Sequence, residues 1–98
     1  MEVTYQQYKD QGLMVVMSLA SNNEGQTPSA EDLAEWADYY GQTFPVVSDA
    51  GWQLENRFAE DGGIPTWSLL APGAVVVARD DWGAEDMIED NLPKNYKP

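Results

Sequence analysis

The run Leu13, Met14, Val15, Val16, Met17, Ser18, Leu19 constrains this chain more than any other segment. It is apolar almost without interruption, and a strand of that character needs cover on both faces. Gly12 before it and the polar stretch Ser21 to Thr27 after it, which contains Gly25, hold the run to strand length. Such a strand belongs to a sheet layered with helices, and 98 residues leave room for one domain with one core.

The flanking segments supply the other elements. Met1, Tyr5 and Tyr8 fall on one helical face, which predicts a helix from Met1 to Gln11 stopped by Gly12. Pro28 after Thr27, and Ser29 three residues before Asp32, offer helix-start chemistry. Leu33, Trp36, Ala37 and Tyr40 then repeat at helical spacing up to Gly41. Phe44 to Val47 reads as a short extended piece whose pairing is limited by Pro45, which has no N–H to donate. Asp49 is placed to cap a short helix from about Trp52 to Glu60, with Leu54 and Phe58 on one side and Asp61, Gly62 and Gly63 as its end.

Thr66 to Leu70 and Ala74 to Arg79 are strand candidates joined by Ala71, Pro72 and Gly73, the turn chemistry of an antiparallel hairpin. Ala84, Met87 and Ile88 predict a last short helix. Residues 93–98 read as a frayed tail, so 1–92 form the single domain. A parallel-type strand joined through helices to a hairpin makes the fold class α/β.

Composition excludes several chemistries. Seventeen acidic residues against five basic give a net charge of −12, a field that repels nucleic acid and anionic lipid. The chain has no cysteine and no histidine, which removes disulfides, thiolate ligands, thiol nucleophiles and the usual proton shuttle of neutral pH. No apolar run reaches bilayer length, so no membrane insertion is expected, and the first residues lack a secretory signal pattern. The compartment stays unread.

Trp36, Trp52, Trp67 and Trp82, with five tyrosines, raise the idea of an aromatic ligand platform, but core packing is the expected use; Trp82, between Asp81 and Gly83, is the least accounted for. Asp80, Asp81, Glu85, Asp86, Glu89 and Asp90 form an acidic cluster without the alternating acids and central glycine of a calcium loop, so a solvated surface is expected and no metal. Ser18, Ser21, Ser48 and Ser68 have no histidine base and no nucleophile elbow. Gly62 and Gly63 lack the GK[ST] sequence of a phosphate loop, and no cofactor is expected.

Taken in order, several segments resemble one family. Tyr8 to Leu19 (YKDQGLMVVMSL) is similar to the end of the first helix and the following strand of thioredoxin-like redoxins of the TlpA and ResA type and their peroxiredoxin relatives. Ser29 to Tyr40 resembles the family's middle helix, Thr43 to Asp49 (TFPVVSD) its Phe-Pro segment, and Gly63 to Thr66 (GIPT) its cis-proline loop. The hairpin and the closing helix follow in the expected sequence.

The resemblance implies a truncated thioredoxin-like fold: a three-strand mixed sheet of one parallel strand and a C-terminal hairpin, with flanking helices and without the family's central strand and Cys-x-x-Cys motif. It implies a cis bond before Pro65 and a peptide-binding role for Ile64, Pro65 and Thr66. The expected function is a domain without active-site cysteines, silent as a catalyst by itself, that binds a protein or peptide through this loop or pairs with a second copy through exposed sheet edges. An extracytoplasmic setting is compatible with the family. Two other readings stand beside it: a piece of a thiol:disulfide oxidoreductase or peroxidase whose cysteines lie upstream, and an unrelated small acidic interaction protein.

Overall fold

The structure, a computed structural model, describes residues 1–59 and 66–97. Among these residues three α-helices, α1 (Glu2–Tyr8), α2 (Ala30–Tyr40) and α3 (Gln53–Phe58), accompany four short strands, β1 (Met17–Leu19), β2 (Val46–Ser48), β3 (Leu69–Ala71) and β4 (Val75–Ala78). The chain is α/β, as its pattern predicts. Short 3-10 turns complete it at Lys9–Gln11, Ala50–Trp52, Ala84–Met87 and Glu89–Asn91.

The expected three-strand mixed sheet is not what the described residues form. They make two separate two-stranded sheets, β1 with β2 and β3 with β4. β1 and β2 run parallel, Met17 opposite Val46 and Leu19 opposite Ser48. The Phe44 to Val47 piece thus contributes a true strand. Pro45 cannot donate to a ladder, but its carbonyl accepts the Met17 N–H at 3.0 Å and opens the pairing. β3 and β4 form the expected hairpin, with an irregularity between Leu69 and Leu70. Among the described residues no strand bridges β1 and β3, so each of these two strands keeps an outer edge without a ladder partner.

The strands are also shorter than the sequence predicts. Only Met17–Leu19 of the Leu13 to Leu19 run pairs, and Thr66 to Ser68 precede β3 without joining it. With one neighbour instead of two, a strand is held only where that neighbour extends.

Helix ends follow their local chemistry. Ser29 caps α2: its hydroxyl accepts the Asp32 N–H at 3.1 Å while the Asp32 carboxylate accepts the Ser29 N–H at 2.9 Å. Gly41, at φ 63°, closes the helix as predicted. The first helix ends at Tyr8 and tightens into a 3-10 turn before Gly12. The last short helix is realised as the two 3-10 turns Ala84–Met87 and Glu89–Asn91, in which only Ala84 among the turn residues is buried.

The core is small. Among the described residues, Leu13, Phe44, Ala78, Ala84 and Ile88 are the buried core hydrophobics. Tyr5 meets Phe44 edge-on at 5.7 Å, joining α1 to the segment before β2. Trp36 is half-buried and donates its indole N–H to the Met17 sulfur at 3.2 Å, which docks α2 on β1. Trp67 is also half-buried, whereas Trp52 stands exposed against the expectation of core packing, as does Trp82, the tryptophan that packing accounted for least. The tail is only partly free: Pro93 is half-buried and lies over Gly12 together with Tyr96. No helix among the described residues is long and apolar enough to cross a membrane.

Candidate functional site

Between the two sheets lies an open cavity of about 680 Å³, lined from one side by residues of the β1 run and from the other by residues around β3. Met14 and Val16 border it, with Leu54 and Phe58 of α3, Leu70 of β3 and Leu92. Met14 is 71% exposed and Val16 60%, while Leu13, one step away, is buried. The run that asks for cover on both faces receives it on one.

Backbone direction decides what borders the slot. The Met17 N–H bonds Pro45 and the Leu19 carbonyl accepts the Asp49 N–H at 2.8 Å, so Met17 and Leu19 turn their polar groups toward β2. Alternation along a strand then turns those of Val16 and Ser18 to the opposite edge, where no strand among the described residues pairs with them. On the other side the Trp67 carbonyl accepts the Asp81 N–H at 2.8 Å, which commits Trp67 toward β4 and turns the Ser68 backbone the other way. Ser18, Ser68, Leu69 and Leu70 all line the cavity.

The third wall is set by Asp49. This carboxylate is only 4% exposed and accepts the Leu54 N–H at 2.8 Å and the Glu55 N–H at 2.9 Å, so the first turn of α3 hangs from it. Gly51 and Trp52 reach α3 through left-handed conformations at φ 72° and 59°. The capping role predicted for Asp49 is realised, across a turn tighter than the sequence suggests. It brings Leu54 and Phe58 to the slot.

Of the three predicted peptide-binding residues, Thr66 is half-buried and lines the cavity. Ile64 and Pro65 lie outside the described residues, as do the bond between them and the Asp61, Gly62, Gly63 helix end. Beside Thr66, the Trp67 indole N–H is buried without a hydrogen-bond partner, and the ring stands 6.3 Å from that of Trp82.

The acidic cluster serves local structure. Asp81 accepts the Gly83 N–H at 2.8 Å and so starts the Ala84–Met87 turn, while Glu85 accepts the Thr4 hydroxyl and ties that turn to α1. No group of three or more acidic side chains among the described residues is arranged to hold a metal ion.

Reasoning from sequence missed Met14, Val16, Leu54 and Phe58 as slot residues. The signal was present in the unbroken apolar run, which announces a second covered face without saying what covers it. Compared with family models, with curated proteins and with solved structures, the chain finds no match in any of the three.

Proposed function

We propose that this chain is the later part of a thioredoxin-like domain that carries no thiol and acts by binding an extended protein segment rather than by catalysis. The observation that carries the reading is the slot between β1 and β3, bordered on both sides by strand edges without ladder partners. Ile64, Pro65 and Thr66 are the residues through which the family resemblance would have the segment bind, and Thr66 supports this by lining the same slot.

A thiol-free chain has no nucleophile for disulfide exchange, so insulin-reduction and peroxide-consumption assays should read at the buffer rate. Binding is tested with S-carboxymethylated insulin B chain as an unfolded probe, followed by tryptophan emission, since Trp67 adjoins Thr66. A saturable change supports the reading. Turnover above buffer, or no change at millimolar probe, overturns it.

The slot also favours a second reading, in which an upstream segment of a longer oxidoreductase supplies both the strand that fills it and the cysteines. A Cys-x-x-Cys motif before Met1 in the parent reading frame would decide for that reading.

A further inference from the structure

Which segment fits the slot follows from three properties of its walls, given the binding function proposed above. First, both bordering edges are backbone edges. The N–H and C=O groups of Val16 and Ser18 on one side, and of Ser68 on the other, point away from their own ladders. Only an extended segment presents donors and acceptors at the matching spacing to two edges together.

Second, much of the lining is apolar. Met14, Val16, Leu54, Phe58, Leu70 and Leu92 line the slot, so an entering strand meets hydrocarbon along its length. The bordering stretch from Met14 to Ser18 covers four steps of roughly 3.3 Å, which sets the length of the entering segment at about five residues.

Third, charge selects the source. A second copy would bring a net −12 against −12, which opposes self-association. A segment with positive flanks is drawn to the same field.

We propose that the slot is a strand-addition site for a different polypeptide, whose recognised segment is extended, apolar over about five residues, rich in β-branched side chains and flanked by lysine or arginine. Entry of that strand joins the two small sheets into one.

The test uses the full chain and a synthetic peptide with the central run Val-Ile-Val-Thr-Val between lysine pairs. Binding is read by calorimetry and by amide hydrogen exchange. Saturable binding with new protection of the Val16, Ser18 and Ser68 amides is the expected result. A peptide with proline at the central position should bind at least tenfold more weakly, and so should one with glutamate pairs in place of the lysines. In the protein, Val16→Lys buries a charge in the bound state and Val16→Pro removes an N–H that faces the slot. Each should weaken binding at least tenfold while the far-ultraviolet spectrum stays unchanged.

Protection confined to Thr66 and Trp67, without β1, would overturn strand addition while leaving loop binding intact. No binding by this peptide while the carboxymethylated B chain still binds would have the same meaning. A dimer in sedimentation without peptide, with the same amides already protected, would overturn the choice of a different polypeptide.

Discussion

Gly12 and Gly73 make the same demand on the backbone in different surroundings, and the pair separates conformation from packing. Both are left-handed, at φ 103° and 88°. A Cβ on Gly73 would meet nothing within 4 Å, whereas one on Gly12 would stand 2.5 Å from Pro93 Cγ and 3.1 Å from the Tyr96 ring. Gly73→Ala should therefore cost about 1 kcal/mol, the left-handed penalty alone. Gly12→Ala adds overpacking and should cost about 2 to 4 kcal/mol in urea unfolding. Equal costs would mean that the tail does not rest on Gly12. The stop at Gly12 was readable from sequence, but the reason it tolerates no side chain lies some eighty residues away and was not. Asp49 is the converse, a role legible from its place before a short helix. Asp49→Ala strands the Leu54 and Glu55 N–H groups and should cost about 1 to 2 kcal/mol, with Asp49→Asn closer to the parent.

Among the elements, α2 was legible almost to the residue, because its signals are local: Ser29, Asp32 and Gly41 lie within a turn of what they cap. β2 was legible only as an extended piece, since three residues of strand are defined by a partner from another part of the chain. Two carboxylates at helix starts give these elements a pH dependence. Glu2 is held below the usual carboxylate range by the Thr43 backbone N–H, with Gln6 and the Thr43 hydroxyl assisting. Asp32 is held down by the Ser29 backbone N–H, then by Asn22 and the Ser29 hydroxyl. A depressed folded value means stabilisation that is complete above the unfolded value, about 4, and is lost as pH falls through the lower folded value. Protonating seventeen acids also relieves repulsion, which works in the opposite direction. The difference between variants isolates the local effect: from pH 7 to pH 3 the urea midpoint should fall less in Glu2→Gln, Asp32→Asn than in the parent. Parallel curves would remove the helix-start carboxylates as acid sensors.

At the scale of the whole molecule, the chain is a little more extended than a compact domain of its length. The Cα radius of gyration is 14.1 Å, against about 13 Å for a compact chain of this length. Five buried apolar residues hold the described part together, and no large side chain there is completely enclosed. Apolar residues consequently fall into two populations that sequence cannot tell apart, those of the core and those of the slot. Phe44 is 3% exposed and packs on Tyr5, so Phe44→Ala should cost about 3 to 5 kcal/mol, a large share of the stability of a domain this size. Met14 belongs to the run with the strongest apolar pattern, yet it is already 71% exposed, and Met14→Lys should change stability by no more than about 0.5 kcal/mol. Urea unfolding of both variants reads this contrast directly. A large loss in Met14→Lys would mean that the slot is closed in solution, by rearrangement of the sheets or by another chain.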